Sequence, residues 1–305
     1  MQNAKISFVE VGPRDGLQNE KTLISSANKL TLIEKAIDAG ARRIEVTSFV
    51  NPNRVPQMAD ADQVCAGLPD RPDVSYIGLV LNARGAERAI ATGRINQLGA
   101  VAVATDRFAI ANQGQTSDDS VAVSKAIIRQ AQAAGLTGQV TISAAFGCPF
   151  EGEVSEDRVA AMAEALVDAG PVEIALADTI GVGDPAQVSR MVRRIAQIIA
   201  PLPVRVHFHN TRNTGLANVW AAVEAGASVV DASLGGLGGC PFAPGAAGNV
   251  PSEDVIYMLE RAGIDTHMDL EKMISASRWL SEIMDRKLPG MVANAPAFPA
   301  VRQGD

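Results

Sequence analysis

Two of the three histidines in this 305-residue chain, His207 and His209, lie two residues apart in the run VRVHFHNT. The β-branched and apolar residues around them favour a strand, and alternate residues of a strand point to the same face. Two imidazoles on one face supply half of the ligands of a divalent-metal site. The alternative is that one histidine is a buried structural residue and the other is incidental.

Oxygen ligands for such a metal are available elsewhere in the chain. Asp15 follows a Pro-Arg pair at the end of a strand-like run, and Asn249 lies just beyond a glycine-rich loop. Imidazole nitrogens combined with carboxylate and amide oxygens suit Mg²⁺ or Mn²⁺, and zinc is less favoured because no thiolate joins the set. Asp15 taken alone is also typical of an Asp-Gly turn. The predicted metal ligands are Asp15, His207, His209 and Asn249.

The glycine-rich loop from 235 to 248 contains six glycines and two prolines around Cys240. Glycine at this density indicates positive φ, close approach of the backbone to a ligand, or a hinge. A cysteine carried by such a loop suits a proton donor or a nucleophile, with a structural turn cysteine as the alternative. Cys65 and Cys148 are predicted to be structural.

A repeated pattern of strands and helices must position these residues. The predicted strands are 6–11, 43–49, 75–80, 97–104, 139–146, 173–178, 204–210 and 228–236. The predicted helices are 26–39, 59–67, 83–93, 118–134, 156–169, 185–199, 213–225 and 252–262. Eight strand and helix units predict an α/β fold of the (β/α)8 TIM-barrel type, which is favoured over an open doubly wound sheet.

The remaining C-terminal residues predict an extra helix over 269–287 and a loosely ordered tail over about 289–305. No low-complexity linker divides the chain, so residues 1–305 are expected to form one domain. Active sites of such barrels lie at the C-terminal ends of the strands. An unpaired acid or histidine there costs several kcal/mol, so a cluster of them indicates a metal or a charged substrate.

The composition argues against several classes of protein. A hydrophobic fraction of 47% with 4% aromatic residues is typical of a parallel sheet covered by helices. The net charge of -7 argues against binding to nucleic acid or anionic membranes. The chain begins without the features of a signal peptide, has no long apolar span, and places its three cysteines without CxxC spacing. We therefore expect a reduced, cytoplasmic enzyme.

Five long motifs resemble 3-hydroxy-3-methylglutaryl-CoA (HMG-CoA) lyase, within a wider group of metal-dependent lyases and synthases on TIM barrels. The resemblance extends over residues 5–287, and the GLGGCPxA cysteine loop is specific to the lyase branch. The motifs are VGPRDGLQNE at 11–20, RIEVTSFVNPNRVPQMAD at 43–60, GCPFEGEVS at 147–155, DTIGVGDP at 178–185 and GLGGCPFAPGAAGNVPSED at 236–254.

This resemblance implies retro-Claisen cleavage of HMG-CoA to acetyl-CoA and acetoacetate with Mg²⁺ or Mn²⁺ as cofactor. The metal would lower the pKa of the tertiary hydroxyl, and Asp15 or His207 would take its proton. Arg14 would stabilise the enolate oxygen, and Cys240 would protonate the enolate carbon under a closed lid. The resemblance places the family's metal ligands on the four residues named above, and its catalytic residues on Arg14, Asp15, Glu45, Asp178, His207 and Cys240.

The acyl-CoA substrate would be the small-molecule partner of this site. Without a P-loop or Rossmann motif, the CoA phosphates are expected at the barrel rim, with Lys21 and Arg107 as candidates and Asn112 as the match to a family contact. The resemblance also implies a homodimer, and a place in leucine degradation and ketone-body metabolism.

Several residues near the acyl group depart from the family pattern. Asn210 replaces an aspartate, Arg212 adds a positive charge, and Thr141 and Ala175 stand where the family has a tyrosine and a serine. These changes leave a citramalyl-CoA-like thioester open as the substrate. A synthase or a 2-oxo acid aldolase of the same metal group is a further alternative, although the synthases carry an additional C-terminal domain and the aldolase would not need the cysteine loop. A non-enzymatic binding module would not need a proton donor.

Overall fold

Eight parallel strands form a closed barrel in chain order, as seen in a computed structural model that describes residues 5–239, 248–296 and 298. Each strand pairs with its neighbours in sequence, and the last strand returns to the first, with Ser7 opposite Val229. The strands are β1 (Ser7–Glu10), β2 (Arg43–Ser48), β3 (Ser75–Leu79), β4 (Gln97–Val103), β5 (Thr137–Ser143), β6 (Ile174–Asp178), β7 (Val204–Phe208) and β8 (Val229–Ala232). The predicted TIM barrel is confirmed.

Helices follow the strands and cover the outside of the barrel. They are α1 (Ser26–Asp38), α2 (Ala61–Gly67), α3 (Ala83–Ala91), α4 (Asp106–Gln113), α5 (Ser117–Ala133), α6 (Glu156–Val167), α7 (Pro185–Ile199), α8 (Gly215–Glu224), α9 (Ser252–Arg261) and α10 (Leu270–Ile283). The sequence pattern predicted one helix after β4, but the structure has two. Gly114 ends α4 in the left-handed region, and Thr116 begins α5 with a capping box.

The main apolar core lies between the barrel and its helices, whereas the barrel interior combines a small apolar cluster with buried charged side chains. Val9, Val11, Ile77 and Val229 form a separate small apolar cluster. Buried charged side chains from β2, β7 and β8, together with Glu173 just before β6, meet each other close by, as Arg205 does with Glu173 and Asp231. The barrel therefore encloses an ionic network directly beneath its C-terminal mouth.

The predicted extra helix is present as α10, which Asp269 caps by accepting a hydrogen bond from the Lys272 N–H. The chain that follows is held against α9 and α10. The N–H groups of Met291 and Val292 donate to the Asp254 carboxylate at 3.0 and 2.7 Å. The first residues of the predicted loosely ordered tail are thus anchored, and 299–305 lie outside the described residues.

Candidate active site

A single π-helical turn, Gly12–Gly16, follows β1 and carries Arg14 and Asp15. Insertions of this kind re-aim side chains and are frequent at functional sites. Arg14 is buried, and its Nη1 lies 2.5 Å from Asp15 Oδ1. Its Nε donates to the carboxylate of Glu45 on β2. The turn and β2 together hold the Asp15 carboxylate at the mouth of the barrel.

The two histidines come from β7 and the residues just after it. Their ring centroids are 5.3 Å apart, so the i, i+2 spacing places both rings on one face. The Nε2 atoms of His207 and His209 each lie 3.8 Å from Asp15 Oδ2. One ligand atom from each of the three residues lies within 4.8 Å of the others.

The loop after β8 completes this side of the mouth. His209 pairs with Asn249 across an isolated antiparallel bridge. The Asn249 Nδ2 donates to Asp15 Oδ2 at 2.7 Å and to the carbonyl of Leu237 at 3.0 Å. The structure therefore brings the four predicted ligands together, with the Asn249 amide nitrogen facing the carboxylate.

Electrostatics prepares these groups to bind a cation. Burial would raise the pKa of Asp15, but Arg14 and the two histidines hold it well below its usual range. Burial and the neighbouring His207 lower the pKa of His209 to about 4, so its imidazole is neutral at pH 7. An ionised carboxylate and a neutral imidazole are the forms that ligate metals. The donor set of two imidazoles and one carboxylate fits a divalent metal.

His207 is oriented by Asp231, a residue that the sequence analysis missed. Burial opposes charge on the His207 ring, but the hydrogen bond to Asp231 raises the pKa of His207 above its ordinary value. Its Nδ1 lies 3.1 Å from Asp231 Oδ2. Burial would raise the pKa of Asp231 as well, yet Arg205 and His207 lower it. The ionised carboxylate can only accept, so Nδ1 carries the proton and Nε2 is left to face Asp15.

These features match known proteins over nearly the whole chain. A family model described as HMGL-like matches residues 5–280. The chain belongs to the HMGL-like family. It is 44% identical to an (R)-citramalyl-CoA lyase of Chloroflexus aurantiacus, over 97% of this chain and 96% of that protein. It is 41% identical to the hydroxymethylglutaryl-CoA lyase YngG of Bacillus subtilis, over 93% of this chain and 95% of that protein.

A solved structure of an HMG-CoA lyase from Acinetobacter baumannii, in complex with coenzyme A and 3-methylmalate, aligns with a TM-score of 0.93. It is 40% identical and covers 99% of this chain and 98% of that one. The resemblance drawn from the motifs is confirmed, and this HMGL-like protein is a lyase.

The other predicted catalytic residues of the HMGL-like chain differ in how they relate to the Asp15 cluster. Glu45 reaches it through Arg14. Asp178 is buried at the end of β6, where its carboxylate accepts the N–H groups of Val182 and Gly183 at 3.0 and 2.9 Å. These contacts shape the loop after β6. Cys240 lies outside the described residues.

The three predicted CoA contacts lie on segments that follow β1 and β4, on the same end of the barrel as the cluster. Lys21 and Arg107 are exposed, and Asn112 on α4 is half-buried. Arg107 packs within the loop region, since its Nη1 donates to the carbonyl of Phe150 at 3.0 Å. The described hydrogen bonds of Arg107 are to Glu151 and Phe150 and do not reach the Asp15 cluster.

The departures from the family pattern have local explanations. Asn210 supports the start of α8, because its Oδ1 accepts the N–H of Gly215, the first residue of that helix, at 3.0 Å. Arg212 donates to the carbonyls of Ile180 and Gly181, both at 3.0 Å, and so supports the loop after β6. The positions of both side chains are therefore explained by backbone contacts, without a bound metal.

Thr141 and Ala175 are neighbours across β5 and β6. They share the inward parity of Gln139 and Glu173, which contact Arg205 inside the barrel. They therefore form part of the inner wall at the level of Arg205, which lies opposite Ala175 on β7.

The rule that active-site residues lie at strand ends does not identify Asp231 and Arg205. Both lie within strands, β8 and β7, where a charged residue interrupts an apolar run. A lone buried charge in such a run must have a partner, and that signal was present. Within the described part of the chain, no helix is long and apolar enough to cross a membrane.

Proposed function

We propose that this protein is a divalent-metal-dependent lyase that cleaves HMG-CoA to acetyl-CoA and acetoacetate. The observation that carries the proposal is the convergence of Asp15, His207 and His209 at the mouth of an HMGL-like barrel. The protonation states of Asp15 and His209 support it, since both groups are in the forms that bind a cation.

Asp15, His207 and His209 would hold Mg²⁺ or Mn²⁺, with Asn249 as a fourth side chain. When bound, the metal would supply Lewis-acid activation of the tertiary hydroxyl of the substrate. The cluster offers nitrogen and oxygen donors among its described residues, which agrees with these two metals.

The reaction needs a base for the tertiary hydroxyl. We assign this role to Asp15 in preference to His207, because His207 has its proton on Nδ1, 3.1 Å from Asp231, and would hold the metal through Nε2, which leaves no lone pair to take a proton. As the proton leaves, the C3–O bond becomes the ketone of acetoacetate and the C2–C3 bond breaks. The electron pair of that bond remains on C2 as the enolate of acetyl-CoA.

Arg14 would stabilise the enolate oxygen. Its Nε and Nη1 are occupied by Glu45 and Asp15, so we assign Nη2 as the donor to the substrate. A well-placed donor of this kind contributes about 3–4 kcal/mol to the transition state. The thiol of Cys240 would then give its proton to C2 and complete acetyl-CoA.

(R)-Citramalyl-CoA is a second candidate substrate. It has the same tertiary alcohol and methyl group, and its carboxylate is one methylene closer to the alcohol. The same bond cleavage would give acetyl-CoA and pyruvate. This candidate is favoured by the 44% identity to an (R)-citramalyl-CoA lyase.

The test is a cleavage assay of both thioesters with Mg²⁺ or Mn²⁺, following acetoacetate and pyruvate separately. Asp15→Asn should abolish turnover, and Lys272→Ala, on the exposed surface of α10, should retain kcat. Acetoacetate as the main product supports HMG-CoA, and pyruvate moves the function to citramalyl-CoA. If a folded, metal-loaded protein forms neither acetoacetate nor pyruvate, the proposal is overturned.

A further inference from the structure

Arg205 lies inside the barrel on β7, two residues before His207 and on the same face of the strand. Only 1% of the residue is exposed. Its guanidinium binds Asp231 through two hydrogen bonds, from Nε to Oδ1 at 2.5 Å and from Nη2 to Oδ2 at 2.8 Å. This bidentate geometry fixes the plane of the Asp231 carboxylate.

The fixed carboxylate in turn orients a predicted metal ligand. Asp231 Oδ2 receives both Arg205 Nη2 and His207 Nδ1, the latter at 3.1 Å. Partners in this position determine the tautomer and the ring angle of a ligating histidine. Arg205 therefore acts on the His207 ring through one shared oxygen atom.

The same guanidinium also lies beside the acid that holds Arg14. Arg205 Nη2 is 3.7 Å from Glu45 Oε2, and the other oxygen of Glu45 accepts from Arg14. On its remaining side, Arg205 Nη1 donates to Gln139 and, at 3.1 Å, to Glu173. The cation is thus held from several directions and stands between the carboxylates of Glu45, Glu173 and Asp231.

Loss of this cation would leave those carboxylates facing each other in a buried space. Like charges without a partner either repel each other or take up protons, and both changes move side chains. Asp231 would lose two charge-assisted hydrogen bonds, and Glu45 would lose a neighbouring positive charge. The groups that depend on them are His207 and Arg14.

We propose that Arg205 is a positioning residue of the active site, which sets His207 through Asp231 and Arg14 through Glu45. The effect on turnover rests on the proposed function, whereas the effect on metal affinity and on the histidine tautomer does not require the substrate to be known.

Mn²⁺ titration followed by electron paramagnetic resonance tests the proposal on the full-length protein. We expect Arg205→Gln to weaken Mn²⁺ binding by roughly 10- to 100-fold, the usual effect of removing an outer partner. Arg205→Lys should fall between this variant and the wild type, because an ammonium keeps the charge but cannot bind Asp231 in the same bidentate way.

Arg43→Gln is the matched control. Arg43 binds Glu173 at 2.6 and 2.9 Å, and its other described contacts are with Gln97 and Ser7. It belongs to the same interior network but does not contact Asp231 or Glu45 in the described structure. Its loss should change stability and leave Mn²⁺ affinity near the wild-type value.

The ¹⁵N spectrum of the histidines supplies a readout that a purely structural role would not change. The chain has only three histidines, so the His207 signals can be assigned by substitution. The metal-free wild type should show the proton on Nδ1, and Arg205→Gln should show a mixture of tautomers.

Asp231→Asn removes the carboxylate that joins Arg205 to His207. It provides a second test of the proposal if Arg205→Gln does not fold. Its loss of Mn²⁺ affinity should match that of Arg205→Gln, and the double variant should lose no more than either alone. The inference is overturned if folded Arg205→Gln, or Asp231→Asn, binds Mn²⁺ with the wild-type affinity and keeps the wild-type tautomer of His207. A wild-type protein that does not bind Mn²⁺ would instead overturn the proposed function.

Discussion

At the residue scale, Gly238 determines how closely the loop after β8 approaches the cluster. Its φ is +117°, and a Cβ at this position would lie 2.3 Å from Asn249 Nδ2 and 3.3 Å from Asp15 Oδ2. An alanine there would meet both an unfavourable backbone conformation and a collision with two predicted ligands. We expect Gly238→Ala to weaken Mn²⁺ binding by at least roughly tenfold, measured by titration.

Gly226→Ala separates the collision from the backbone strain. Gly226 has a φ of +109°, and a Cβ there would have no heavy atom within 4 Å. Both variants should lose about 1–3 kcal/mol of unfolding free energy from the strained conformation. Only Gly238→Ala should lose metal affinity, so an equal loss in both variants would contradict this role of Gly238.

At the element scale, Glu10 joins three segments that surround the mouth of the barrel. Its buried carboxylate accepts the N–H groups of Gly12 and Leu234 at 2.7 and 2.9 Å and the hydroxyl of Ser252 at 2.6 Å. It thereby connects the turn after β1, the loop after β8 and the start of α9. Two of these segments carry predicted metal ligands.

Glu10 makes the anchoring of these segments dependent on pH. Burial raises the pKa of Glu10 from 4.5 to about 7, and the nearby Glu253 adds to the effect. Because the pKa is higher in the folded state, the stability that Glu10 contributes is complete below pH 4.5 and declines as the pH rises through about 7. A shift of this size corresponds to up to about 3 kcal/mol.

Glu10→Gln should remove much of this dependence. The amide oxygen can still accept the two N–H groups, the amide nitrogen can donate to Ser252, and no charge forms at high pH. Urea unfolding at pH 5.5 and pH 8.5 should show a smaller difference for the variant than for the wild type. Glu253 titrates in both proteins, so parallel losses of stability would show that Glu10 is not the source.

The helices and strands were largely predictable from the sequence, because backbone geometry fixes the spacing at which apolar residues recur in each. The alternation of a strand placed His207 and His209 on one face, and the rule for strand ends identified Arg14 and Asp15. The eight-residue α4 escaped because its polar sequence carries a weak helical pattern. The charge of Asp231 within an apolar strand is visible in the sequence, but its partner Arg205, at 26 residues' separation, is not.

At the scale of the whole molecule, the closed barrel concentrates negative charge beneath its mouth. Four carboxylates in the described interior network meet three guanidinium groups, namely Asp15, Glu45, Glu173 and Asp231 with Arg14, Arg43 and Arg205. With His207 neutral, as a metal ligand must be, the network has an excess of one negative charge, which is unfavourable unless a cation offsets it. The fold thus favours a bound cation at the point where its donors converge.

This imbalance predicts that metal removal destabilises the whole fold. A ligand that binds the folded state at 100 times its Kd adds about 2.7 kcal/mol to the unfolding free energy. With an unfolding entropy of about 2.1 cal/mol/K per residue, this corresponds to a rise in Tm of about 4 °C for a chain of this length. Calorimetry with Mn²⁺ and then with excess chelator measures the shift. Arg107→Ala should retain it, because Arg107 lies at the exposed rim, and Asp15→Asn should lose it. An equal shift in Asp15→Asn would mean that Mn²⁺ binds elsewhere.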